Sequence, residues 1–100
     1  MKFIALSQFT VIKGMEEPVK EAFLSRPHFV DQAPGYIRME VLCPQQKPEE
    51  FWLLTWWQDE ASYLTWHHSH EYRASHKYMP KGLKLVPKTA KVTFLEQISL

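Results

Sequence analysis

Cysteine is nearly absent from this 100-residue chain, Cys43 being the only one. No disulfide can form within the chain, and the sequence reads as one kept in a reducing cytoplasm. Cys43 falls in a strand-like run and reads as a small core residue rather than a nucleophile. An excess of either charge is missing too. Twelve Lys and Arg stand against eleven Asp and Glu, for a formal net charge of +1, which gives no electrostatic case for nucleic acid or an anionic membrane. No apolar run approaches the length of a membrane span. Met1 to Val11 alternates instead of forming the apolar block of a signal peptide. Repeats, low-complexity segments and an evident flavin or nicotinamide site are lacking as well.

What is present is ordinary in balance and unusual in kind. Hydrophobic residues make up 45% and charged residues 23%, enough for one globular domain over residues 1–100 with a real core. Aromatic residues reach 14%, with four tryptophans. That share suggests a planar ligand or a large interface.

The periodicity sets the order of elements. Lys2 to Ile12 alternates as a strand, and Lys13-Gly14 ends it. Met15 to Val30 has helical spacing, with Met15, Val19, Ala22, Phe23 and Arg26 near one stripe; Pro18 suits its first turn and Pro27 demands a kink or break. Ala33-Pro34-Gly35 is a turn. Tyr36 to Cys43 and Glu50 to Trp57 are strands joined by the polar loop Pro44 to Pro48. Asp59 is placed to cap a short helix, Glu60 to His67, and Ser69 a second one, His70 to Lys77. Met79 to Pro87 reads as an ordered loop or lid, and Lys88 to Ile98 as the last strand. The order is β-α-β-β-α-β, a ferredoxin-like α+β fold with one antiparallel sheet and helices on one face.

The strands carry apolar residues on both faces. Phe51, Leu53, Thr55 and Trp57 oppose Trp52, Leu54 and Trp56; Ile37, Met39, Val41 and Cys43 oppose Tyr36, Arg38, Glu40 and Leu42; Ile4 and Leu6 oppose Phe3, Phe9 and Val11. Two helices cover only one face. The other would leave a patch larger than monomers usually carry, so patterning alone predicts a homodimer whose sheets pack together or close into a barrel.

Chemistry concentrates between Trp56 and His76. This run holds Trp66, four of the five histidines and Tyr72, which lies one helical turn before His76 on the same face. An imidazole ligates metals or moves protons near neutral pH, and an indole presses on flat ligands. The stretch His67-His68-Ser69-His70 does not read as a zinc site, because adjacent helical residues diverge by about 100° and close cysteine or carboxylate partners are lacking. His28 reads as a surface or pocket-rim residue, and Lys81 and Lys84 as solvated lysines or, alternatively, as cations that meet the carboxylates of a ligand.

The element order, the Ala33-Pro34-Gly35-Tyr36 turn, the strand Phe51 to Trp57 running into an acidic helix start, and the Trp66…His76 spacing together resemble the antibiotic biosynthesis monooxygenase superfamily of dimeric α/β barrels. Within it, the chain is most similar to the IsdG-type heme-degrading monooxygenases. The resemblance spans almost the whole chain. It implies a homodimer that takes heme as substrate, together with O2 and an external electron donor. It also implies His76 as the iron ligand, Trp66 pressing on the porphyrin, and Tyr72 and Phe23 as further ligand contacts. The asparagine of the family's site falls on Ser7 here. Serine keeps a hydrogen-bonding hydroxyl but is shorter and lacks the amide.

Two other readings stand beside heme oxidation. In one, the chain is a cofactor-independent monooxygenase of an aromatic or quinol substrate, with Trp66, Tyr72 and His76 orienting a phenol and His76 taking its proton. In the other, it is a non-catalytic dimer that carries heme or another small planar ligand. Fold alone does not choose among them.

Overall fold

The structure is a computed structural model and describes residues 2–100. Four strands form one antiparallel sheet in the order β2-β3-β1-β4: β1 (Phe3–Thr10), β2 (Tyr36–Leu42), β3 (Glu50–Trp57) and β4 (Lys91–Glu96). The helices are α1 (Glu16–Leu24), α2 (Glu60–His67) and α3 (His70–Ser75). Two 3-10 turns, Phe29–Gln32 and His76–Tyr78, follow α1 and α3. This is the ferredoxin-like α+β arrangement.

Local chemistry explains the boundaries. The Asp59 carboxylate accepts the Ser62 amide at 2.8 Å and the Ser62 hydroxyl at 2.7 Å, satisfying a first-turn donor of α2. These bonds hold the Asp59 carboxyl below its ordinary pKa. Ser69 does the same for α3, accepting the Tyr72 amide at 3.1 Å while donating to the Trp66 carbonyl at 2.6 Å. One hydroxyl therefore ends α2 and starts α3. Gly35 sits at φ +84°, and a Cβ there would run into the Ser62 side chain, so the turn into β2 requires glycine.

Several boundaries differ from expectation. Of the kink or break expected at Pro27, the structure shows the break: the first helix stops at Leu24, and the left-handed backbone of His28 (φ 60°) follows before the 3-10 turn. The second helical unit stops at Ser75, so His76 opens a 3-10 turn. The last strand begins at Lys91, three residues late, after Lys88 at φ 65° and after Thr89, whose hydroxyl takes the Thr10 amide at 3.2 Å. Tyr36 sits across from Trp57 on the helix side, because the register shifts between Tyr36 and Arg38; strict alternation had placed it opposite. Cys43 is no core residue. β2 ends at Leu42, and the exposed thiol turns into the loop toward the Pro44 and Lys47 carbonyls, 3.5 Å from each.

The helix side of the sheet holds the core. Val11, Val19 and Phe51 are buried together, with Phe9, Met15, Phe23, Val41, Leu53 and Leu83 packed around them. Trp57 is fully buried nearer the other end of β3, with Tyr36 and Tyr63 edge-on to its indole. The opposite side carries Ile4, Leu6, Trp52, Leu54, Trp56, Leu42 and Leu95 in register across four strands, and all three helices lie on the other side. Arg38 lies 4.1 Å over the Trp56 ring there. The accessible surface is 7011 Å², against about 5,900 Å² for a compact monomer of 11.9 kDa by the usual size scaling. The surplus is roughly the area one subunit buries in a standard interface.

Candidate functional site

The cap at Ser69 bends the chain so that the end of α2 and the face of α3 meet. At the meeting point is Tyr72. Its ring is 5.9 Å from Trp66 at 90°, 4.6 Å from His76 at 65°, and 4.6 Å from His67 at 47°. Trp66 and His76 are therefore joined through one shared phenol ring. The i, i+4 spacing brings Tyr72 under His76 even though His76 lies in the 3-10 turn.

The cluster continues to the sheet. His67 stacks on Tyr63 at 5.6 Å, and Tyr63 meets both Phe3 and Phe94 on the sheet's helix side. Sequence reasoning left out Tyr63 and His67. The signal was there: Tyr63 and His67 have the same four-residue spacing as Tyr72 and His76. Burial pushes the pKa values of both phenols up, that of Tyr63 further through the nearby Tyr72, so both stay neutral donors in a partly dry environment.

The His76 side chain is exposed, and its ring nitrogens carry no hydrogen bond or ion pair among the described residues. It is free to ligate. Trp66 is half-buried, its indole edge-on to Tyr72.

Ser7 lies at mid-strand on the helix side, between Leu53 and Val92. Its hydroxyl is half-buried and makes no hydrogen bond among the described residues, unlike neighbouring Thr55, which bonds the Ala5 carbonyl and the Trp57 indole. Val92 and Phe94, on the same side of β4, are 51% and 52% exposed; the helices leave this edge open. Phe23 packs against Phe51 at 5.9 Å within the core cluster. Thus Trp66, Tyr72 and His76 come together as one group. Ser7 and Phe23 share the covered side of the sheet with them but make no hydrogen bond or ring contact to the group.

Among the described residues, no three His, Cys, Asp or Glu side chains gather closely enough to hold a metal ion by themselves. Two open depressions, one at Lys2, Gln58 and the C-terminal residues and one beside the β2–β3 loop, lie away from the ring cluster. No described helix is long and apolar enough to cross a membrane.

Known proteins resemble the chain at three levels. The model of the antibiotic biosynthesis monooxygenase family matches residues 2–78. A Staphylococcus aureus protein named heme oxygenase (staphylobilin-producing) 1 is 30% identical over 81 residues, covering 79% of this chain and 75% of that protein. A Mycobacterium tuberculosis protein named heme oxygenase (mycobilin-producing) is 23% identical over 66 residues, covering 66% of this chain. The chain spans 63% of that relative's length. Among solved structures, SnoaB, a cofactor-independent oxygenase from Streptomyces nogalater, superposes with a TM-score of 0.77 at 15% identity, over 99% of this chain and 95% of its own. A conserved protein from Methanosarcina mazei superposes with a TM-score of 0.77 at 14% identity, over 97% and 93%. At these identities the superpositions speak to the fold alone.

Proposed function

Since the chain belongs to the antibiotic biosynthesis monooxygenase family, we propose that it binds heme as its substrate and oxidatively opens the porphyrin with O2 and external electrons. The observation that carries this reading is the Tyr72-centred cluster. It joins an exposed, unengaged imidazole, His76, to a large indole, Trp66, through one ring. The name of the staphylococcal relative at 30% identity points the same way. The substrate's iron supplies the site of O2 activation. The chain's residues do the rest. The His76 imidazole would hold the iron, and Trp66 and Tyr72 would form a stiff wall against the macrocycle. Ser7 offers a hydroxyl from the sheet.

The working unit in this reading is a homodimer. The uncovered apolar side of the sheet and the surplus of about 1,000 Å² of surface support it, and the second copy completes a barrel.

A second reading keeps the same ring cluster for an aromatic or quinol substrate without a cofactor. Ser7 in the asparagine position, where the missing amide removes a donor, instead supports a non-catalytic dimer that carries the ligand. A hemin titration followed by visible absorption, then ascorbate in air, decides among these readings. Hemin binding that weakens in His76→Ala, with a shifted Soret band, and Soret loss on adding ascorbate are the expected results. Tight binding without Soret loss would make the protein a carrier. No binding would leave the quinol reading.

A further inference from the structure

We propose that the surface running from α3 through the loop before β4 is a docking face for an acidic electron-transfer protein, an inference that rests on the heme reading above.

Charge is segregated along a nearly neutral chain. Residues 70–100 hold six of the twelve Lys and Arg but two of the eleven Asp and Glu. Ion pairing differs as well: three of the six cations before residue 70 are paired, and Lys2, Lys13 and Lys47 have no carboxylate partner among the described residues. Lys20, Arg26 and Arg38 face Glu17, Asp31 and Glu40 in ion pairs. Arg73, Lys77, Lys81, Lys84 and Lys88 are all exposed, and none has a carboxylate partner among the described residues. The sixth cation, Lys91, registers with Gln8 on the other side of the sheet and is outside this surface.

Apolar side chains sit among these cations. Tyr78, Leu85 and Val86 are 53%, 40% and 36% exposed. Exposed apolar side chains interspersed with cations along one segment suit a protein interface, and small interfaces of this kind serve transient redox encounters. A membrane is the poorer occupant, since α3 has six residues and offers no long amphipathic face to lie on lipid.

Position completes the case. Arg73 and Lys77 follow Tyr72 and His76 directly in the chain, and His76 is itself exposed. A partner seated here reaches the edge of the ring cluster without crossing the fold. Electrons leave the reduced flavin or iron–sulfur group of the partner, which is oxidised, and enter the bound substrate, which is reduced. No covalent bond forms between the proteins. Complementary charge raises the encounter rate and makes it salt-dependent.

Reduced flavodoxin, a small acidic flavin protein, is the probe. Calorimetry with the dimer is expected to show binding that weakens with added salt. Arg73→Glu/Lys77→Glu should weaken it by about tenfold or more, while Lys20→Glu, on α1, leaves it unchanged. Arg73→Gln/Lys77→Gln, which removes charge without reversing it, should lie between and guards against misfolding. In hemin-loaded protein, flavodoxin-driven Soret loss should fall in parallel while ascorbate-driven loss stays at the wild-type rate. Salt-independent binding, equal weakening by Lys20→Glu, or capture by phosphatidylserine vesicles in preference to flavodoxin would overturn the docking face. Flavodoxin binding by a protein that takes up no hemin would retain the face and overturn the heme reading.

Discussion

Tyr72 is the side chain on which the site depends most, and removing its ring separates support from chemistry. Three rings contact it within 5.9 Å, those of Trp66, His67 and His76. Each aromatic pair contributes about 0.5–1.5 kcal/mol beyond area burial, and a half-buried ring cut back to Ala leaves part of a cavity. Tyr72→Ala should cost about 2–3 kcal/mol, which for a domain of this size lowers Tm by roughly 10–20 °C. Hemin affinity should fall along with stability, because His76 and Trp66 lose their common wall; about 1.4 kcal/mol of lost preorganisation weakens binding roughly tenfold. Tyr72→Phe keeps all three contacts. The Tyr72 hydroxyl makes no hydrogen bond among the described residues, and burial already disfavours its charged form, so this variant should stay within about 0.5 kcal/mol of wild type and bind hemin normally. Thermal melts and hemin titrations on the two variants are the assay. Wild-type hemin affinity in folded Tyr72→Ala, or an equal loss in both variants, would refute the idea that the ring holds the ligand-binding pair.

Ser7→Asn should raise the rate of reductant-driven Soret loss, by as much as about 10²-fold where a restored donor meets developing charge; an unchanged rate in a variant with unchanged hemin affinity would detach Ser7 from the chemistry. Leu54→Asp, in the middle of the uncovered sheet face, should convert the protein to a species of 11.9 kDa in sedimentation, whereas wild type sediments at twice that mass; a monomeric wild type removes the dimer. The Asp59 carboxyl has its pKa depressed by the Ser62 bonds. Its contribution is present above the ordinary carboxylate value of about 3.9 and is lost as pH falls below that through the folded value. Asp59→Ala should therefore lower Tm at pH 7 and narrow toward wild type in strong acid; a constant Tm difference across that range would contradict the sign.

The parts of the fold that were legible in the sequence are those decided within a few residues. The β3 limits and both caps, Asp59 and Ser69, follow from alternation and from side chains that bond their own helix. The grouping of Trp66, Tyr72 and His76 was legible for the same reason, through helical spacing and the break at Ser69. Tyr36 was not, because its side is set by Trp57 across the sheet and by a register shift within its own strand. Nor was Cys43, whose strand ends where pairing ends at Leu42 opposite Trp52. Nothing local announces that Val11 will bridge to Leu85 across the molecule. Tyr63 and His67 joined the site through Phe3 and Phe94, residues about sixty positions before and thirty after Tyr63 in the chain.

β1 lies between β3 and β4, and this order has a kinetic meaning. The pairing with β4 joins residues near opposite ends of the chain, so it closes the longest loop in the molecule and comes late in folding. Until then β1 presents a free edge. When β4 arrives, all six of its residues remain exposed, so little burial distinguishes a strand donated by the same chain from one donated by a second copy. To reach a second copy, the loop before β4 would have to release its own backbone bonds to Thr10 and Ile12. At the high local concentrations of nascent chains on one message, exchange of β4 between copies competes with closure, and dilution during refolding selects the unexchanged form.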